Sequence, residues 1–263
     1  MVLLAGFDET ADYFDASYFA WQGESAERSA RAVVPLVMER FRPTSVVDVG
    51  CGSGAWLAVF GEHGVRDLVG VDGQHVRAES LRISPDAFVA RDLSEPLGLD
   101  RRFDVALSLE VAHYLPRHAG VALVGSIAAL APVVLFSAAV PGQPGGPGHN
   151  LQWPAWWAEL FQSRGFRAED WLRPLLWEDP HVDWWYAQNT ILYVADGAGS
   201  ERVPPLVHPG LLAEVARPQE TPKRRRFLRM SLPTRPIGRL RSCPRRRRGS
   251  RRAAPAGGES VQA

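Results

Sequence analysis

The chain has 263 residues, 46% of them hydrophobic, enough to bury the core of one α/β domain. Its formal net charge of +1 hides a division: residues 1–216 carry 15 Arg against 27 Asp or Glu, net −12, and residues 217–263 carry 15 Lys or Arg against two Glu, net +13. Two cysteines, Cys51 and Cys243, exclude a disulfide framework or a cysteine-rich zinc site, and neither a signal-peptide pattern nor a long apolar run occurs, so a cytoplasmic protein without a transmembrane segment is expected.

Residues 8–22 set Tyr13, Phe14, Tyr18, Phe19 and Trp21 among acids, which fits either helix packing or a lid over a ligand. Ala30, Val33, Val34, Val37 and Phe41 then recur at helical spacing, with Pro35 expected to kink or split that helix. Residues 1–42 therefore read as a helical cap. Alternating elements follow: strand 46–49, helix 54–62, strand 67–71, a short helix near 75–81, strands 87–91 and 103–109, helix 117–130 and strand 132–139. That order predicts a doubly wound, mostly parallel sheet over residues 43–196. Pro141 to Gly148 is a loop by composition, at the same sheet edge as the glycine-rich turn after the first strand. Pro154 starts a further helix bearing Trp157, Leu160 and Phe161, closed at Gly165, and segments 166–172 and 189–195 read as the last two strands. Residues 197–216 read as a linker. Residues 217–263, rich in Arg, Pro and Gly, read as a disordered basic tail.

The sharpest signal is Val46-Val47-Asp48-Val49-Gly50-Cys51-Gly52-Ser53-Gly54. A β-branched run breaks into three alternate glycines and gives way to a helix, the opening of a nucleotide-type site at the carboxyl end of a parallel strand. Gly50-x-Gly52-x-x-Ala55 also satisfies the dinucleotide pattern, so an NAD(P)-dependent oxidoreductase is one alternative. A dinucleotide, however, brings an anion to the helix amino terminus. Asp48, two residues before the first glycine, gives an anion nothing and suits a ligand with an ammonium or sulfonium. Asp72 ends the second strand twenty residues beyond Gly52, where an acid serves ribose hydroxyls in either cofactor class. Each of these acids, and Asp92 at the end of the third strand, also has a plainer role open to it: helix capping or loop bracing for Asp48, simple turns for Asp72 and Asp92. Cys51 reads as a small packing residue.

At these residues the chain resembles the class I S-adenosylmethionine-dependent methyltransferases, whose first motif is D/E-x-G-x-G-x-G. Phe103-Asp104-Val105-Ala106-Leu107-Ser108-Leu109-Glu110 is similar to their fourth motif. The resemblance implies a Rossmann-like sheet of about seven strands with an antiparallel last strand, and S-adenosyl-L-methionine as cofactor. It implies cofactor contacts from Asp48, Gly50, Cys51, Gly52, Gly54, Asp72, Gly73, Asp92, Leu93, Leu109 and Glu110, with Asp92 against the adenine amino group. Phe136 to Pro141, His149 to Trp157 and Trp184 to Asn189 resemble a bacterial methyltransferase group of mostly unassigned substrate; the likeness covers roughly residues 25–195.

After the fourth strand, related enzymes often read S-x-E-V-x-E-H and some hold a divalent metal there. This chain reads Ser108-Leu109-Glu110-Val111-Ala112-His113-Tyr114. One carboxylate and one imidazole are a thin set for a hard cation, so no metal is expected. His113 and His149 are the candidate general bases, each with an ordinary structural role as its alternative. Tyr114, Asn150, Gln152 and Trp153 are the candidate acceptor contacts; Asn150 and Gln152 also suit helix capping. The leading expectation is methylation of a small molecule, a saccharide or secondary metabolite, at oxygen. A non-catalytic protein of this fold binding RNA through its tail is the remaining alternative. Nucleic acid or an anionic surface fits the 217–252 stretch electrostatically, although a solvated extension is favoured there.

Overall fold

The computed structural model describes residues 16–144, 148–195 and 202–217, and side chains from residue 22 onward. The aromatic residues at 13–21 and the basic tail lie outside the described side chains. Within it a seven-stranded sheet runs β3-β2-β1-β4-β5-β7-β6, where β1 is Ser45–Val49, β2 Asp67–Asp72, β3 Phe88–Ala90, β4 Val105–Leu109, β5 Val133–Ser137, β6 Arg167–Glu169 and β7 Ile191–Val194. Only β7 is reversed, pairing antiparallel with both β5 and β6. The order changes direction between β1 and β4, and a sheet of this kind opens its ligand crevice beyond the carboxyl ends at that point.

Successive strand residues serve opposite faces, and the core divides accordingly. Val46, Val105, Leu107, Val133, Leu135 and Leu192 face one side, covered by α1 (Ala16–Phe41), α2 (Ala55–Glu62), α5 (Leu172–Leu176) and α6 (Trp184–Asn189). Val47, Ala106, Val134, Phe136, Ile191 and Tyr193 face the other, covered by α3 (Arg117–Leu130) and α4 (Pro154–Gln162). Strands buried on both faces read as continuous apolar runs, which is why β1, β4 and β5 are legible in the sequence.

Several sequence expectations are corrected. Of the two outcomes expected at Pro35 the split does not occur: α1 runs through it as one helix, and Val33, Val34 and Val37, buried on the core side, offset the one lost backbone bond. It forms part of the layer over the sheet rather than a separate cap. The helix expected near 75–81 is a single 3-10 turn, Ala78–Ser80, whose residues are all exposed, so no apolar stripe rewards a longer helix. The strand expected over 166–172 stops at Glu169 and is followed by α5, and the 184–189 segment forms α6 ahead of β7. Part of the expected linker is folded: α7, Pro209–Ala216, buries Leu211 and contacts α6. His208 caps it, its Nδ1 accepting from Gly210 N at 2.9 Å. With Nδ1 an acceptor the ring proton sits on Nε2, which donates to the Trp177 carbonyl oxygen at 2.7 Å.

Candidate cofactor and acceptor site

At the carboxyl end of β1 the chain must turn sharply into α2. Gly50, Gly52 and Gly54 all take positive φ, at 86°, 52° and 77°. Their surroundings differ. A Cβ on Gly50 would lie 2.2 Å from Val111 Cγ2, whereas one on Gly52 would meet nothing within 4 Å. Gly50 thus lets the loop pack on its neighbour, and Gly52 turns a bare backbone to open space.

Two carboxylates lie beside this loop. Asp72, 7% exposed, accepts the amides of Gly52 at 2.7 Å and Gly73 at 2.6 Å, so it ties the ends of β1 and β2 together. Each oxygen keeps further acceptor capacity for a hydroxyl. Asp48, 2% exposed, has its pKa pushed up to about 7 by burial and then by the charge of Asp72. Cys51 is buried and its thiol is held well above the usual range, chiefly by burial and then by Asp48 and Asp72, so it acts as a packing residue and not a thiolate. Burial also raises Asp72, against the two amide bonds. A site that destabilises its own anions in this way is complementary to a cation carrying hydroxyl groups. This fits S-adenosylmethionine and not a pyrophosphate.

The cavity above the loop is bounded by Asp48, Gly50, Gly52, Trp56 and Leu109, by Gln22, Gly23 and Ala26 of α1, and by Tyr186 of α6. The two helices are latched at this wall. Asp183, which precedes α6, accepts from Ser25 Oγ and the Arg28 guanidinium, and its own amide donates to Ser29 Oγ at 3.1 Å. Nothing local in 22–26 or 183–186 marks the two segments as neighbours, so this wall has no signature in the sequence.

Glu110 stands at the end of β4 with φ 59°, a left-handed conformation rare for a residue with a side chain. Its amide is held by Ser137 at the end of β5, donating to both the carbonyl oxygen and Oγ at 3.0 Å. The carboxylate accepts from Asn189 Nδ2 at 3.0 Å and Gln143 Nε2 at 3.1 Å, and Asn189 Nδ2 also donates to Gln143 Oε1 at 2.9 Å. Burial pushes its pKa up to about 7, opposed by Asn189, Ser137 and Gln143. The chain of amides continues from Gln188 Nε2 to Asn189 Oδ1 at 2.9 Å, and Gln188 Oε1 accepts the amide of His208 at 2.8 Å, which secures the start of α7. Gln143 and Asn189 were not predicted site residues. Both lie in segments of marked composition, but pairing across 46 and 79 residues has no local signature.

His113, 4% exposed, joins the loops after β4 and β5. Its Nδ1 accepts Ala139 N at 3.1 Å, and its carbonyl accepts His149 N at 2.9 Å and Asn150 N at 3.1 Å. Burial lowers its pKa to about 3, so the ring is neutral with its proton on Nε2. Its one ring lone pair is engaged. This geometry is at odds with the base expected of it and describes a brace instead.

The other expected residues divide. His149 is exposed, Tyr114 is half-buried against His113 with ring centroids 4.0 Å apart, and Trp153 is 36% exposed. Asn150 is buried and faces α3, since a Cβ on Gly120 would lie 2.7 Å from its Nδ2. Its Oδ1 accepts from Gln152 at 3.1 Å. Asp92 is exposed and closes a local turn onto Ser94 N and Oγ at 2.9 and 2.7 Å, the plainer of its two expected roles; Leu93 is half-buried. Among the described residues no three His, Cys, Asp or Glu side chains cluster as a metal set.

A reversed strand inside an otherwise parallel sheet, with a glycine loop over paired acids at its switch point, defines a class I nucleotide-cofactor fold of the methyltransferase type. Residues 21–187 match the methyltransferase-domain family, and the chain belongs to it. It is an enzyme of that family and its cofactor is S-adenosylmethionine, which removes the oxidoreductase alternative. No curated protein matches the chain. Solved structures share the fold at low identity. An O-methyltransferase family protein from Burkholderia thailandensis is 17% identical with a TM-score of 0.52, over 73% of this chain and 63% of its own. Magnesium protoporphyrin IX methyltransferase from Synechocystis, with S-adenosylhomocysteine bound, is 17% identical with a TM-score of 0.53, over 72% and 100%. A sugar N-methyltransferase from Streptoalloteichus is 17% identical with a TM-score of 0.53, over 69% and 95%.

Proposed function

We propose that the chain transfers the methyl group of S-adenosylmethionine to an oxygen of a small polar acceptor, a saccharide or secondary metabolite. The observation that carries this reading is the convergence of two regions on one sheet edge. One is the acid-lined glycine cradle; the other is the polar strip from His149 to Trp153, fixed to the β4 exit through the carbonyl of His113. The sulfonium of the cofactor supplies an activated methyl group and a good leaving group. The protein's part is to position the acceptor atom about 3–3.5 Å from that carbon and to exclude water.

In this reading Asp48 holds the ammonium end of the cofactor, Asp72 the ribose hydroxyls, and the open face of Gly52 lies along the chain between them. Gly54 shapes the helix entry, and Gly73, Leu93, Leu109 and Glu110 complete the cofactor's surroundings. His149 takes the acceptor's proton, since it is exposed at the edge while His113 is a brace. Tyr114, Gln152 and Trp153 border the acceptor, and Asn150 supports them from beneath.

The reading is tested by incubating the protein with labelled cofactor and a panel of hydroxylated and aminated acceptors, following S-adenosylhomocysteine. Turnover on hydroxyl acceptors supports it. Exclusive turnover on amines, with none on hydroxyls, replaces oxygen by nitrogen in the proposal.

A further inference from the structure

S-adenosylmethionine ends in an α-amino acid, whose ammonium and carboxylate sit on one carbon. In the proposed placement Asp48 takes the ammonium. None of the described residues lining the cavity is basic, so the carboxylate finds no counter-charge among them. An anion left unpaired beside two buried acids is costly. A cation that serves it has to reach in from just outside the lining.

Gly23 marks where one does. It lies within α1, where glycine weakens a helix relative to alanine, so the position needs a reason. The reason is room. A Cβ there would lie 3.2 Å from Ser53 Oγ, and 3.5 and 3.7 Å from Nη2 and Nε of Arg82. Gly23 and Ser53 both line the cavity. Arg82 is fixed beside them: its amide donates to the Ser53 carbonyl oxygen at 2.8 Å, and the next residue, Ile83, packs over Gly54. Its Nη1 pairs with Glu27 Oε2, one turn further along α1, and the other oxygen of Glu27 accepts from Arg31 Nη2 at 2.8 Å. Nη2 and Nε of Arg82 remain nearest to Gly23, and together they form the guanidinium edge that meets a carboxylate in two parallel bonds. The ion pair with Glu27 does not by itself require glycine at 23.

We propose that Arg82, with Ser53 Oγ beside it, holds the α-carboxylate of S-adenosylmethionine over the bare Cα of Gly23. This presupposes that the cofactor lies along Gly52 with its ammonium at Asp48, and it assigns the other half of the amino acid. The tail of the cofactor then runs from an acid to a base, with each of its charges compensated. Arg82 is a binding residue supplied from beyond β2, and α1 contributes by leaving out a side chain.

The experiment is calorimetry of the full chain with S-adenosylmethionine and with decarboxylated S-adenosylmethionine, which keeps the adenosyl, sulfonium and amine groups. The wild type should favour the complete cofactor by about tenfold, the worth of a charge-assisted pair at a partly exposed arginine. Arg82→Ala should weaken the complete cofactor by that factor and leave the analogue unchanged, so that the two bind alike. Arg82→Lys should keep part of the preference. Gly23→Ala tests the same point without touching a charge: the preference should fall, while the melting temperature holds or rises because alanine favours the helix. Equal binding of the two compounds by the wild type, or an Arg82→Ala protein that weakens both or neither, overturns the subsite. Asp72→Ala separates that failure from a failure of the cofactor placement. It should weaken both compounds alike, since both carry the ribose; if it weakens neither, the placement fails and the subsite with it.

Discussion

The carboxylate of Asp72 accepts the amide of Gly52 at 2.7 Å, which couples the acid ending β2 to the loop leaving β1. The same residue that is proposed to meet ribose therefore also sets the shape of the cradle. Asp72→Ala removes charge-assisted bonds worth about 1.5–3 kcal/mol. Cofactor affinity by calorimetry should fall about 10- to 150-fold, and the loop's loss of its brace should lower the melting temperature as well. Unchanged affinity would take Asp72 out of the site.

Asp48 predicts a pH dependence. Its pKa near 7 in the ligand-free protein reflects burial and the neighbouring Asp72. A cationic ligand favours the ionised form, so binding releases a proton below that pH, and affinity weakens as pH falls through about 7. Calorimetry near pH 6.5 in buffers of different ionisation enthalpy should detect the released proton. For stability the sign is opposite. A carboxyl held above its unfolded pKa binds its proton more tightly in the native state, so its contribution is greatest at low pH and is lost as pH rises from about 4 to 7. Asp48→Asn should therefore stabilise the ligand-free protein more at about pH 8 than at about pH 5, while abolishing tight cofactor binding. Equal stabilisation at both would refute the buried-charge account.

The glycines separate folding from binding. Gly50→Ala drives a methyl into Val111 and imposes a positive φ on alanine, so its main effect should be a lower melting temperature. Gly52→Ala incurs the backbone strain of about 1–2 kcal/mol but meets no neighbour, so its thermal effect should be smaller and its loss of cofactor affinity larger. Thermal melts with and without S-adenosylmethionine distinguish them, and identical profiles would contradict the assignment of Gly52's open face to the ligand.

The two histidines should behave differently. His113→Ala strands the buried amide of Ala139, at a cost of about 1–3 kcal/mol, and should register first in thermal stability. His149→Ala should leave cofactor affinity and stability intact while turnover on a hydroxyl acceptor falls about 100-fold. Wild-type turnover in the His149 variant would reduce that residue to scaffolding. EDTA should leave turnover unchanged; reversible loss would restore a metal to the mechanism.

The latch at the cavity wall gives a further measurement. Asp183→Ala frees Ser25 and Arg28 of α1 from the start of α6 and leaves Ser29 held only by the backbone amide of residue 183. Stopped-flow release of the cofactor should accelerate, because α1 and Tyr186 close one side of the cavity. An unchanged release rate would show that these helices do not retain the ligand.

How far the sequence reached depends on the range of the interactions involved. Val46 to Gly54 announces itself because a buried parallel strand needs consecutive β-branched residues, and the turn after it needs glycine; both demands are local. The same holds for Asp72, whose spacing follows from one βαβ unit, and for α3, whose bounds match the expected 117–130. By contrast α7 read as linker, since its own eight residues show little reason to be a helix without His208 capping them and α6 to lie against.

Composition and pattern alone determined the alternating, mostly parallel order of strands and helices, the glycine-rich turn with its neighbouring acids, and the split in charge between the first 216 residues and the rest, because each is written within one element and its neighbour. Tertiary structure decided which histidine is a brace, that Glu110 is held by Gln143 and Asn189, and that α1 and α6 wall the cavity. Those facts depend on which distant groups share one buried place. A chain specifies such meetings only through the free energy of the whole packed molecule.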